Sequence, residues 1–192
     1  MNTCHNGGLD FFFQYYTKVG EWIPYVFVAA LLFYKVGWSG LLLTNILLSG
    51  LISQGLKYAF DTDRPLTWFA NNMPDVQLTL VEGVRMSQYY SCPSGHTVTF
   101  FALFLTLSWV VSADSWRKNE WWQTLFFILT IMGGYSRIYL SQHFAEDIWA
   151  GSIVGIVSCL LMVPLVVWLQ KKPFWDTNLV LLGKKMQKNH QK

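Results

Sequence analysis

Long stretches of this chain carry no Lys, Arg, Asp or Glu, and several of them have the length of a membrane crossing. A helix rises 1.5 Å per residue, so about 20 apolar residues cross a hydrocarbon core of about 30 Å. Five segments approach that length: residues 23–36, 39–60, 94–113, 121–140 and 148–170. The first is the weakest, being short and opening on Ile23-Pro24 between Glu21 and Lys35; Trp22 and Tyr25 suit an interfacial anchor and Lys35 can snorkel. The second is interrupted only by Asn45, Ser49, Ser53, Gln54 and Lys57, and all but Lys57 read as helix-contact residues. Gly133, Gly134 and Ser136 in the fourth permit close helix approach. Residues 9–19 mix Phe11, Phe12, Phe13, Tyr15 and Tyr16 with Asp10 and Lys18, which predicts a helix lying in the membrane interface. The expected fold is all-α: a polytopic transmembrane helix bundle of about five spans plus an N-terminal interfacial helix.

Composition supports that class. Of 192 residues, 53% are hydrophobic, 17% aromatic and 13% charged, whereas a soluble domain carries about 25% charged residues. The loops are short except residues 61–93, and no repeat or low-complexity tract divides the chain, so residues 1–192 read as one domain. The chain after Lys171 reads as a basic, mobile tail on the cytoplasmic side. The net charge of +3 is small and gathered near the C-terminus, and no basic stripe interleaves with aromatics, which excludes nucleic acid as a partner. Cys4, Cys92 and Cys159 lack metal-ligand spacing; Cys159, in an apolar run, reads as a packing residue, and a Cys4–Cys92 bridge has no positive support. Residues 1–10 lack the basic region and apolar core of a cleavable signal.

The polar residues that interrupt this pattern fall at span ends. Lys57 and Arg64-Pro65 end the second span; Ser94, Gly95 and His96 open the third after Pro93; Ser136 and Arg137 end the fourth; His143 and Asp147 open the fifth. End, start, end, start in consecutive antiparallel spans means one membrane face. A single Lys at a helix end is usually an anchor, and isolated histidines such as His5 and His190 read as surface residues. Three cations, two histidines and a carboxylate on one face point to function, because ionisable groups at membrane depth are costly.

Lys57, six residues, then Arg64-Pro65; Pro93-Ser94-Gly95-His96; and Ser136-Arg137, five residues, His143, three residues, Asp147 resemble the tripartite signature of the type 2 phosphatidic acid phosphatase superfamily. All three blocks match in order and spacing across residues 57–147. Membrane members of that family are lipid phosphatases, and soluble relatives include vanadium-dependent haloperoxidases and bacterial acid phosphatases; the apolar spans favour the membrane branch.

Phosphoryl transfer needs an in-line nucleophile, donors for three equatorial oxygens and an acid for the leaving group. His143 and Asp147, four apart on a helix, share a face, so Asp147 can hold Nδ1–H of His143 and leave Nε2 free to attack. The resemblance implies a phospho-histidine intermediate. His96 is the expected general acid. Lys57, Arg64 and Arg137 would orient and neutralise the phosphoryl group, and Ser94 and Gly95, opening a helix, would offer backbone N–H groups to the anion. Asp61, Asp63 and Glu146 are read as charge-balancing or capping residues. Trp68, Phe69 and residues 76–86 are read as dipping into lipid. No cofactor and no metal is expected, since no acidic or His/Cys cluster has Zn or Mg spacing.

The predicted partners are a lipid phosphate substrate and membrane lipids. Undecaprenyl diphosphate and lipid A lead the candidates, with phosphatidylglycerophosphate and phosphatidic acid open. Two other functions stay in view: a vanadate-dependent oxidase of the haloperoxidase type, and a lipid-phosphate binding or transport protein without turnover. Under the five-span reading, Lys18, Lys57, Arg64, Arg85 and Arg137 lie on the catalytic side. Lys35, Arg117, Lys118, Lys171, Lys172, Lys184, Lys185, Lys188 and Lys192 lie opposite. That bias predicts a multi-pass protein of the bacterial inner membrane, with its C-terminus cytoplasmic and its site facing the periplasm or exterior.

Overall fold

The computed structural model describes residues 5–113 and 120–182. Six helices follow in order: α1 (Gly7–Tyr34), α2 (Val36–Phe60), α3 (Pro65–Asn72), α4 (Gly95–Ser112), α5 (Glu120–Tyr139) and α6 (Ala145–Leu169). Among the described residues the regular structure is entirely helical. Among the described residues three stretches are long and apolar enough to cross a membrane: Val36–Asn72, in which α2 supplies the long helix, Gly95–Ser112 and Ala145–Leu169. The outer surface is apolar as well, with Leu51 73% and Trp149 71% exposed, as expected of helices solvated by hydrocarbon rather than water.

Helix α4 is the hub. Phe100, fully buried, stacks on Tyr16 of α1 at 5.5 Å and on Phe104 at 6.0 Å. α1 and α5 meet this ring through Gly20 and Gly133, where a Cβ would overlap it. On another side of α4, α6 presents Gly151 and Gly155, one turn apart; a Cβ on Gly151 would lie 2.8 Å from the Ser94 carbonyl oxygen, and one on Gly155 would overlap Phe101. Small residues at i and i+4 let helix backbones approach where no hydrophobic effect drives them together. Asn45 of α2 joins the same core, its amide donating to the Ala102 carbonyl (3.3 Å), Thr106 Oγ1 (3.0 Å) and Cys159 Sγ (3.0 Å). The helix-contact reading of Asn45 and the packing reading of Cys159 both correspond to this arrangement.

Three features differ from the sequence expectations. An interfacial helix over residues 9–19 and a span over 23–36 are one continuous helix, α1. Pro24 forgoes only one backbone hydrogen bond there, and Tyr16, Thr17 and Gly20 dock the N-terminal half onto α4 and α5. The long loop contains α3, which Pro65 opens at the first helical position. The chain beyond Lys171 is not a free tail throughout: Trp175 is buried against Gly37 and Trp38, Thr177 accepts from Val36 N–H, and Asp176 pairs with Lys35 at 2.8 Å. The expectations on Cys4, Arg117, Lys118, Lys184, Lys185, Lys188, His190 and Lys192 lie outside the described residues.

Candidate active site

The end of α2, the start of α4, the end of α5 and the turn into α6 surround a cavity of about 480 Å³ beside the N-terminal half of α1. Lys57, Arg64, Gly95, His96, Arg137 and His143 all line it. Local chain rules explain how several of them arrive there.

Arg64 precedes a proline and is therefore extended, at φ −83° and ψ 161°. Its Nε–H donates to the Tyr89 carbonyl at 3.1 Å. Lys57 Nζ donates to the next carbonyl, Tyr90, at 2.6 Å. The strap 88–92 is held in turn by Arg64 N–H to Gln88 O (2.9 Å), Thr67 Oγ1 to Gln88 O (3.0 Å) and Ser91 N–H to Thr62 O (3.0 Å). Two cations that could point anywhere in water are thus aimed by one returning loop.

The end of α5 delivers the other half of the site. Ser141 takes a left-handed conformation (φ 54°), Ser141 N–H bonds Ile138 O, and Gln142 N–H bonds Arg137 O at 2.9 Å. These bonds are the pair that closes a helix in a Schellman motif, here with Ser in place of the usual Gly. The turn returns Gln142 and His143 to the side of Arg137. Arg137 is buried; its Nη2 donates to Gln142 Oε1 at 2.7 Å and its Nη1 to Thr17 Oγ1, while its Nε–H has no hydrogen-bond partner. Arg137 is thus a buried cation on the cavity wall, with its two terminal nitrogens held by Thr17 and Gln142.

His143 and Asp147 meet, with Nδ1 3.2 Å from Asp147 Oδ2, although not as neighbours on one helix face: His143 precedes the Phe144 cap of α6, and the pair spans the helix start. The same carboxylate oxygen accepts from Phe144 N–H (2.9 Å), since Asp147 is the third residue of α6 and reaches back over its start, and from the hydroxyl of Ser91. Ser91 Oγ also lies 3.3 Å from His143 Nδ1. With Nδ1 engaged on that side, Nε2 is the ring nitrogen left for the cavity. Burial holds the His143 imidazole well below its ordinary pKa; the Arg137 and Arg64 charges act in the same direction and the Asp147 hydrogen bond opposes them. The ring is therefore neutral at neutral pH, the form that can act as a nucleophile.

Two of the expected site residues stand behind the cavity wall. Asp147 acts on His143 from behind it. Ser94, expected to offer its N–H to the phosphate, donates instead to the Asp147 carbonyl at 2.9 Å, and its hydroxyl accepts from Thr97 at 3.0 Å. It ties α4 to α6, leaving the first helical N–H groups, at Gly95 and His96, for an anion.

Sequence reasoning missed Thr17, Glu21, Ser91 and Gln142. Glu21 lines the cavity with its carboxylate 3.2 Å from His96 Nε2. Gln142 is one of the five unspecified positions inside the third block, the other three fall outside the blocks, and in the sequence Glu21 reads only as the charged flank of a span. Trp68 and Phe69, expected in lipid, pack on Phe144 with ring centroids 5.9 and 6.4 Å away. Among the described residues no three His, Cys, Asp or Glu side chains are grouped as a metal site requires.

A helical bundle of the membrane type, with a basic cavity of about 480 Å³ lined by two histidines at one end, defines the class of protein. The sequence matches the model of the PAP2 superfamily over residues 38–171, and the chain belongs to that family. Over 88 residues, 43% of the chain, it is 33% identical to a Drosophila melanogaster protein provisionally described as a phosphatidate phosphatase; the match spans 23% of that protein's length. The crystal structure of Aquifex aeolicus LpxE shares the fold, with a TM-score of 0.69 at 22% identity over 85% of this chain and 90% of that one.

Proposed function

We propose that the protein is a membrane-embedded phosphohydrolase that removes phosphate from a lipid phosphate or diphosphate through a phospho-histidine on His143. The observation that carries this reading is the single cavity in which Lys57, Arg64 and Arg137 converge with His96 and His143.

The phosphate enters with its equatorial oxygens on the three cations and the Gly95 and His96 N–H groups. Nε2 of His143 attacks phosphorus and the bond from phosphorus to the lipid oxygen breaks. His96 gives that oxygen its proton, so the lipid leaves as an alcohol, or as a monophosphate if the substrate is a diphosphate. Asp147 stabilises the charge that His143 gains on phosphorylation. Water then attacks the phospho-histidine, returning its proton to His96 and releasing inorganic phosphate. Glu21 is a positioning residue for His96, and Ser91 for Asp147.

The bundled cations supply the charge neutralisation a metal would otherwise bring, so activity survives EDTA and is inhibited by vanadate, which mimics five-coordinate phosphorus. Undecaprenyl diphosphate and lipid A remain the leading substrates, in a bacterial inner membrane with the site facing the periplasm or exterior and the C-terminus cytoplasmic. The deciding experiment measures phosphate release by purified protein from a panel of lipid phosphates and diphosphates, with trapping of labelled phosphoenzyme. Labelling of His143→Ala would overturn the assigned nucleophile. Loss of activity on chelation, restored by a divalent ion, would overturn the metal-free mechanism.

A further inference from the structure

The cavity carries more cations than the reacting phosphate uses. Lys57 and Arg64 are aimed by the carbonyls of Tyr90 and Tyr89, and Arg137 is held by Thr17 and Gln142. Lys18, an exposed residue of α1, lines the same cavity outside that set. Gln14, Thr17, Lys18 and Glu21 all line it, and their spacing is that of a single helix face. Lys18 precedes Glu21 by about 4.5 Å at the helical rise, yet among the described residues the two form no ion pair. Its ammonium lies instead 5.0 Å from the centre of the Tyr15 ring. Glu21 bonds His96, so Lys18 stands one helical turn from the partner of the proposed general acid.

We propose that Lys18 binds the departing phosphate of a lipid diphosphate and so makes the diphosphate the preferred substrate. This rests on the lipid phosphatase reading and deepens it from the reacting phosphate to the leaving group. In-line attack by Nε2 of His143 forms a bond to the terminal phosphorus and breaks the bond to the bridging oxygen, which leaves with the electron pair on the far side, where His96 supplies a proton. From a lipid monophosphate that group departs as a neutral alcohol, which gains nothing from a nearby ammonium. From a diphosphate it departs as a lipid monophosphate, still anionic after protonation and repelled by the Glu21 carboxylate. A cation one turn of α1 away offsets that repulsion and stabilises the charge that builds on the leaving group in the transition state. The stem of Lys18 is flexible and its ammonium rests on an aromatic face, so it can swing from Tyr15 to the departing phosphate.

The test measures release of inorganic phosphate from farnesyl diphosphate labelled in its terminal phosphate and from farnesyl phosphate, two probes that share one chain. Lys18→Ala is expected to lower kcat/KM about ten-fold more for the diphosphate than for the monophosphate, and Lys18→Arg to restore most of that loss. Equal loss on both probes overturns the assignment. Arg85 lines the same cavity, with its carbonyl held by Gln142 next to His143. Arg85→Ala is expected to affect both probes by the same factor, and a diphosphate-selective loss as large as that of Lys18→Ala overturns the site in favour of a general field. Calorimetry in detergent with farnesyl methylenediphosphonate, which is not hydrolysed, and farnesyl phosphonate gives a readout without turnover. Lys18→Ala is expected to weaken binding of the first roughly five-fold and to leave the second unchanged; equal affinity of wild type and variant for the first overturns the proposal. Absent phosphate release by wild-type protein from both probes, with the Lys18-dependent binding intact, would be failure of the phosphatase reading alone.

Discussion

The Glu21 carboxylate lies 3.2 Å from Nε2 of His96, joining the middle of α1 to the first turn of α4 at the cavity edge. The cavity that His96 lines also holds Lys18, Lys57, Arg64, Arg85, Arg137 and His143, so Glu21 brings a negative charge into a wall otherwise lined by cations and histidines. Glu21→Gln keeps the shape of the side chain and loses its charge, so a residue that positions the proton donor is expected to cost at least several-fold more kcat on a lipid monophosphate than on para-nitrophenyl phosphate, whose leaving group needs no proton. Equal loss on both esters would refute the assignment.

His96→Ala separates proton donation from binding. An alkoxide leaving group needs a proton and a nitrophenolate does not, so the variant should lose about 10²–10⁴-fold on a lipid monophosphate and far less on para-nitrophenyl phosphate. Comparable loss on both esters would remove His96 from the acid role.

Asp147 and Ser91 form a chain behind His143, the proposed nucleophile. Asp147→Asn should lower kcat steeply with little change in KM, because it alters the stabilisation of the charged imidazole rather than the phosphate contacts. Ser91→Ala removes one hydrogen bond to a carboxylate, about 1.5–3 kcal/mol, and should lower kcat by a smaller factor in the same direction. A KM effect without a kcat effect in either variant would place these residues on the binding path.

Gly155 tests the packing of α4, which carries His96, against α6, which begins just after His143. A Cβ there overlaps Phe101 and lies 3.1 Å from the Val98 carbonyl oxygen, whereas nothing lies within 4 Å of one on Gly50. Gly155→Val should lower the thermal midpoint in detergent, at a cost of about 1–3 kcal/mol for overpacking, while Gly50→Ala should leave it unchanged or raise it. Equal midpoints for the two variants would contradict the close α4 to α6 contact.

The sequence by itself determined the long apolar helices, their ends to within about three residues for α2, α4, α5 and α6, and the gathering of Lys57, Arg64, His96, Arg137, His143 and Asp147 at one end. Both conclusions follow from one-dimensional facts: charge-free runs measure a bilayer, and alternating spans force consecutive ends onto alternating faces. The meeting of His143 with Asp147 was legible, but its cause was not: the expectation put both on one helix, whereas His143 precedes the cap of α6 and Asp147 reaches back to it from the third helical position.

Tertiary structure alone decided the rest. Glu21 lies 75 residues from His96 in sequence, and Ser91 lies 56 from Asp147; their meeting depends on how α1 and the 88–92 strap dock, which no local period encodes. The continuity of α1 through Pro24 was decided by its packing on Phe100 and Arg137, and the burial of Trp175 by the space that Gly37 leaves open. Ser94 shows the same division: its place at the opening of α4 could be read from the chain, but the direction of its N–H depended on a carbonyl brought within reach by the glycines of α6. Hydrogen-bond partners distant in sequence are selected by packing, and packing is a property of the assembled helices rather than of any one of them.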